Sequence, residues 1–381
     1  MIFSFWRFLI RYLLQSVNNE YNAILYSFIE HFLSSHYNTQ NTVKPHPLLT
    51  LKNTMNYKTQ SNWREIQRFL PKEFQLELDN EPSEERWQWR GHQIHLDRFR
   101  NPRAVAKVIL FHGVGTNGRQ MSTILGSPLF KRGFETIAID MPEYGMTRVA
   151  SGVLVTYDDW VQAGSDLIDA ELKKDGRPIV LFGLSAGGML AWHVAALNKK
   201  VKGIVGMTFL DQWEQQVRDE TALNFLMSRI GVPLTHLAAK TPLAALRMPM
   251  SLASKMSALV NNKAALKACL RDETSAGKWV TMKFLSSLTT YAPVVEPEAF
   301  DVCPILLTQP EKDRWTPLHL SELFLKRVNR VPKKVVMLEN AGHYPLEQPG
   351  LTQMCDAVVE FIHSCISPDR TTTDSGGSVN V

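Results

Sequence analysis

The stretch Gly183-Leu184-Ser185-Ala186-Gly187 follows directly on the apolar run Ile179-Val180-Leu181-Phe182 and leads into Gly188-Met189-Leu190-Ala191-Trp192. The first run reads as a buried strand and the second as the start of a helix, so the chain must turn from one into the other at Ser185. So tight a turn forces the serine into a strained backbone conformation, which glycines two positions away on either side accommodate. The Ser185 hydroxyl then projects from the sheet over the positive end of the following helix. A hydroxyl so presented, once a base takes its proton, is a nucleophile for acyl transfer.

Acyl transfer also needs donors for the charge that develops on the carbonyl oxygen, and a base with an orienter. Upstream, the strand-like run Ala106-Lys107-Val108-Ile109-Leu110-Phe111 enters His112-Gly113-Val114-Gly115. Backbone N–H groups of Val114 on this loop and of Ala186 after the serine are the expected oxyanion donors. Downstream, Pro304-Ile305-Leu306-Leu307-Thr308 leads into Glu311-Lys312-Asp313-Arg314-Trp315-Thr316-Pro317, and Lys334-Val335-Val336-Met337-Leu338 leads into Gly342-His343-Tyr344-Pro345. Both loops leave strand ends, where sites on open sheets assemble. The catalytic order is therefore read as Ser185, Asp313, His343, with Asp211 and, less directly, Glu311 as rival acids. Among the other histidines, His112 is assigned to shaping the oxyanion loop, His193 to packing on the elbow helix and His319 to the start of a helix over 318–328.

In these four landmarks, together with Asp140-Met141-Pro142-Glu143-Tyr144-Gly145-Met146-Thr147, the sequence resembles the α/β-hydrolase superfamily over roughly Trp87 to Cys365. It is similar to the branch of capped monoacylglycerol lipases, lysophospholipases and small carboxylesterases. Pro310 and Glu143 depart from that branch, which often has glycine at both places. The resemblance implies an α/β fold: a mostly parallel central sheet, helices on both faces, and a helical cap inserted after the sixth strand. It implies a serine esterase acting on a mono-acylated lipid, with no cofactor. Thioester hydrolysis and a low-turnover binding or receptor protein are the alternatives. A nucleophilic aspartate, as in the dehalogenases and epoxide hydrolases of the superfamily, is disfavoured by the serine at 185.

The 381 residues suffice for one catalytic domain with additions. Aliphatic strand runs alternate with helical patterns such as 158–168, the pattern of a parallel sheet covered on both faces. Residues 86–97 read as an antiparallel hairpin leading into that sheet. The expected segments are 1–58, amphipathic helices and linker; 59–210, core; 211–297, cap; 298–366, core; and 367–381, a disordered tail rich in Thr, Ser and Gly. Cys269, Cys303, Cys355 and Cys365 have neither metal-like spacing nor scaffold density, so they read as free thiols in a reducing, cytoplasmic compartment. No histidine–carboxylate spacing suggests a metal, and no phosphate loop or nucleic-acid signature is present.

Two regions bear on partners. Between Glu220 and Asp272 there is no acidic residue, while Arg229, Lys240, Arg247, Lys255, Lys263, Lys267 and Arg271 all occur there. Within that stretch Leu252, Met256, Leu259 and Val260 are candidates for an acyl tunnel or a lipid contact, or for packing of cap on core. At the N-terminus, Ile2, Phe3, Trp6, Leu9, Ile10, Leu13, Leu14 and Val17 form a helical stripe, interrupted too soon by Arg7 and Arg11 to span a bilayer. That stripe and the formal charge of +5 suggest peripheral contact with an anionic membrane surface. A translation start at Met55 would remove it.

Overall fold

The computed structural model describes residues 56–77 and 79–367, all within one compact unit, Met55–Val381. The N-terminal stripe and the tail after Ser367 lie outside the described residues.

The core is an eight-stranded sheet. Its strands are β1 (Ser83–Trp89), β2 (His92–Phe99), β3 (Lys107–Phe111), β4 (Glu135–Asp140), β5 (Ile179–Leu184), β6 (Gly203–Met207), β9 (Ile305–Pro310) and β10 (Lys333–Leu338). The spatial order is β1-β2-β4-β3-β5-β6-β9-β10. The hairpin β1–β2 is antiparallel and joins β4 antiparallel, and every later pairing is parallel. Strands β3, β4, β5, β6 and β9 are buried along their whole length, so their middles are apolar runs rather than alternating ones, with buried polar residues such as Lys107, Glu135, Asp140 and Gln309 towards their ends. The edge strand β10 begins with two exposed lysines, Lys333 and Lys334, which discourage pairing with another chain.

Two crossings locate the site. From β3 the chain passes outward to β4, then returns across β3 to β5, so the order reverses between β3 and β5. At such a reversal the loops leaving the two strands diverge and open a crevice at their carboxyl ends. The register pairs Phe111 with Gly183 and Leu184 with Met207, bringing the loops after β3, β5 and β6 to one edge. The covering helix Tyr157–Asp175 is fixed at its start by a reciprocal Thr156–Asp159 capping box and stopped by Gly176 in the left-handed region.

Between β6 and β9 lies the inserted cap. It contains helices Gln215–Thr221, Val232–Ala238, Lys263–Arg271 and Met282–Thr290, and also a two-stranded antiparallel ribbon, β7 (Arg247–Pro249) with β8 (Trp279–Thr281). Of the tunnel candidates, Met256, Leu259 and Val260 prove to be core residues, fully buried. The Met256 thioether packs against Gly115. Residues 259–261 clip two core loops together: Tyr344 N–H donates to the Leu259 carbonyl at 2.8 Å, and Arg314 donates to the Val260 carbonyl and to the Asn261 side chain. Packing of cap on core thus accounts for these three, while Leu252 is half-buried.

Candidate active site

Ser185 ends up with φ +57° and ψ −123° between β5 and the elbow helix Ala186–Asn198. For a non-glycine residue this is costly and persists only where the surroundings impose it. They do so by contact. A Cβ at Gly183 would stand 1.8 Å from Gly187 O, and one at Gly113 would stand 2.6 Å from Leu184 O and 2.9 Å from the Ser185 Cβ. Only glycines let the elbow close on itself and let the loop after β3 lie against it.

That loop is held from both sides. His112 Nε2 accepts from Met141 N–H at 3.0 Å, which puts the ring proton on Nδ1, 2.8 Å from Gly113 O. Burial lowers its pKa further, so the ring is neutral. Past the loop, Asn117 and Gln120 form a reciprocal capping box that starts the helix Gly118–Met121. Within the loop, Thr116 Oγ1 takes the Gly113 N–H. Val114 N–H and Ala186 N–H have no hydrogen-bond partner among the described residues. Both residues line the same cavity as Ser185.

His343 and Asp313 meet across the loops after β10 and β9, Nδ1 to Oδ2 at 2.9 Å. The other carboxylate oxygen accepts N–H bonds from Trp315 and Thr316, each 2.8 Å. Thr316 Oγ1 adds a third donor, 2.7 Å from Oδ2. Burial alone would raise the Asp313 carboxyl, but the His343 ring and the Thr316 bonds outweigh it and hold the group at about 2. With a carboxylate at Nδ1 the ring proton resides there, leaving Nε2 as the acceptor. Nε2 is buried and has no partner among the described residues. Trp315 packs against the His343 ring, tilted by 41° with centroids 4.7 Å apart, and lines the cavity that holds Ser185.

The rivals are engaged elsewhere. Asp211 accepts from Trp213 N–H and pairs with Arg327 at 3.2 Å. Glu311 accepts the Asn340 N–H at the surface. His319 opens the helix Leu318–Leu325 and contacts Glu220. His193, read from sequence as packing, also lines the cavity. The residue that sequence does not single out is Thr316, since no pattern marks its hydroxyl as bridging the acid and the base. Glu143 adopts φ +76°, explaining why glycine suits this place, and pairs with Arg247 of the cap.

Beneath the site lies a second histidine–carboxylate cluster. His95 Nδ1 is 2.8 Å from Asp140 Oδ2 and Nε2 is 2.9 Å from Glu84 Oε2. Tyr57 OH and Gly118 N–H also bond Asp140. Glu84, His95 and Asp97 bring three potential metal-ligand atoms within 4.8 Å of one another. Arg119 already supplies positive charge there, bonding Asp97 through two nitrogens at 2.5 and 3.0 Å. The set is that of an ion-pair cluster.

The cavity over Ser185 has a volume of about 530 Å³ and is walled largely by Met, Leu and aromatic side chains from elbow helix and cap. Solved structures share the fold of this chain. A soluble variant of monoglyceride lipase from Saccharomyces cerevisiae, in complex with a substrate analog, matches 76% of this chain and 96% of its own, with TM-score 0.62 and 16% identity. A monoacylglycerol lipase of Paleococcus ferrophilus matches 71% and 98%, with TM-score 0.55 and 19% identity. A hypothetical protein of Pseudomonas aeruginosa matches 85% and 100%, with TM-score 0.58 and 15% identity. No curated protein sequence matches. At these identities the likeness is one of fold. The alpha/beta hydrolase family itself matches residues 108–353, more than half of the sequence, and the chain belongs to that family.

Proposed function

We propose that the protein is a serine hydrolase of carboxylic esters, with mono-acylated lipids as its substrate class. The observation that carries the reading is the strained Ser185 at the cavity wall, with two unbonded N–H groups beside it and a His343–Asp313 pair in the neighbouring loops. Ser185 Oγ attacks the ester carbonyl carbon and His343 Nε2 takes its proton. The carbonyl oxygen gains negative charge opposite the Val114 and Ala186 N–H groups, where each fixed donor is worth about 10²–10³ in rate. Asp313 keeps the ring in the required tautomer and stabilises its charged form. The imidazolium then protonates the leaving alcohol, and water activated by the same nitrogen frees the acid. Apo hydrogen bonds between nucleophile and base are often long, consistent with the unbonded Nε2.

The lipid class is supported by the apolar wall of the cavity and by exposed Phe225 and Leu237 on the cap, 64% and 63% accessible. These give the cap an apolar contact for a membrane surface. Charge contributes less than the acid-free stretch suggests, because Arg229 and Arg247 are already paired with Asp219 and Glu143. Among the described residues no helix is long and apolar enough to cross a membrane. A fluorophosphonate probe tests the reading: it should label the wild type at Ser185 and leave Ser185→Ala unlabelled. Ester turnover undiminished in Ser185→Ala would overturn it.

A further inference from the structure

The cavity continues from Ser185 along the elbow helix. Ala186, Met189, Trp192 and His193 all line it, and their spacing places them on one helical face. His193 lies about 10 Å along the axis from Ala186, at about 1.5 Å per residue. Around it the wall changes from thioether and aliphatic to hydroxyl and imidazole. Tyr157 OH is 3.1 Å from His193 Nδ1. The Tyr291 ring packs on both, with centroids 4.7 Å from His193 and 5.2 Å from Tyr157. The three side chains come from three separate places: the start of the helix Tyr157–Asp175, the elbow helix, and the residue after cap helix Met282–Thr290.

His193 is more than nine-tenths buried, and its Nε2 has no hydrogen-bond partner among the described residues. Desolvation pushes its pKa down to about 3, so the ring presents a neutral donor or acceptor rather than a cation. If Tyr157 donates to Nδ1, Nε2 carries a proton that can be given to a ligand oxygen. If Nδ1 donates to Tyr157, Nε2 accepts. Nε2 opens on the cavity, so a ligand hydroxyl satisfies either arrangement, whereas a hydrocarbon end would cover the nitrogen and leave it unpaired.

We propose that the His193–Tyr157 pair is the far end of the acyl site, and that Ser185 acts on esters of medium-chain acids bearing an oxygen at the chain terminus. The inference rests on the ester-hydrolase reading of Ser185. The acyl side is assigned because the acyl group stays bound to the nucleophile, beneath the cap, while the alcohol must leave. The middle of the chain meets Met189 and its apolar neighbours, and the terminal oxygen meets Nε2.

The test is binding, followed by turnover. In Ser185→Ala protein, calorimetry should find ω-hydroxydecanoate bound about tenfold more tightly than decanoate, the worth of one hydrogen bond to a group otherwise unpaired. Adding His193→Phe or Tyr157→Phe, which keep a ring in place, should bring that ratio to about one. With active enzyme, kcat/KM for the two p-nitrophenyl esters should show the same preference and the same collapse. A ratio near one in the Ser185→Ala parent, or a ratio that survives both phenylalanine variants, overturns the proposal. The parent ratio decides even if a variant fails to fold. Preferential binding without hydrolysis of either ester or labelling by fluorophosphonate would uphold the recognition pair and overturn the hydrolase reading instead.

Discussion

His343 and His95 are two buried histidines, each against a carboxylate at hydrogen-bond distance, and they differ in one nitrogen. Asp313 takes Nδ1 of His343 and nothing among the described residues takes Nε2. In His95 both nitrogens face carboxylates, Asp140 and Glu84. The first arrangement leaves a nitrogen lone pair free, as the proposed base requires. The second consumes the ring in holding β1, β2 and β4 together, with Asp140 also bonding the first residue of the helix Gly118–Met121. Their charge states differ accordingly. Burial would lower the His95 pKa, yet Asp140 and Glu84 raise it to about 9, making it a fixed cation at neutral pH. A histidine–carboxylate contact therefore says little about catalysis until the second nitrogen has been accounted for.

The strongest break of the comparison is to remove each ring. His343→Gln should reduce ester turnover by about 10⁴-fold or more, since nucleophile and base act as a unit, with little change in the unfolding midpoint. His95→Gln should do the opposite, destabilising the fold by about 3–5 kcal/mol because a buried pair loses one partner, while the folded fraction still turns over. Denaturant titration beside initial rates decides it. Lost turnover at full stability in His95→Gln would place that histidine in the chemistry.

The next effect separates the acids. Asp313→Asn should lower kcat by about 10⁴, as the imidazole would be held in the wrong tautomer. Asp211→Asn, whose carboxylate faces Arg327, should alter stability more than rate. Reversed rate effects would move the acid role to Asp211.

The smallest effect is in the pH dependence of stability, and the two sites have opposite signs. His95, raised from 6.5 to about 9, contributes stability that is complete below pH 6.5 and fades as pH rises through 9, up to about 3 kcal/mol. Asp313, lowered from 3.8 to about 2, contributes above pH 3.8 and loses that contribution as pH falls through 2. Thermal melting between pH 6 and 10 should therefore show a decline in the wild type and a flatter curve in His95→Gln. Parallel curves would remove the charged His95 from the account.

Much of the site can be read along the chain because its demands are local. A strand-to-helix reversal needs glycines around Ser185, and the sterics that require them act within five residues, as Gly183 against Gly187 demonstrates. Parallel strands buried on both faces are mostly apolar, so β3, β5, β6 and the first half of β9 announce themselves as runs. The inserted stripe at 256–260 was ambiguous for the same reason: helical spacing of apolar residues is identical whether they face a ligand or a core. The choice between Asp211 and Asp313 is likewise invisible locally, since each follows a strand end.

What sequence alone determined, then, is the order of strands and loops along the chain, the strained serine between them and the pool of acids and bases. The tertiary structure decided which of them meet. His343 finds Asp313 and Thr316, Asp211 finds Arg327, and His95 draws Glu84 and Asp140 from two different strands. His193 is turned from a packing residue into part of a cavity wall. Steric limits on the backbone act between near neighbours and leave their mark in local sequence. Hydrogen bonds and burial act between residues brought together by strand order, and no spacing along the chain encodes which nitrogen will be left without a partner.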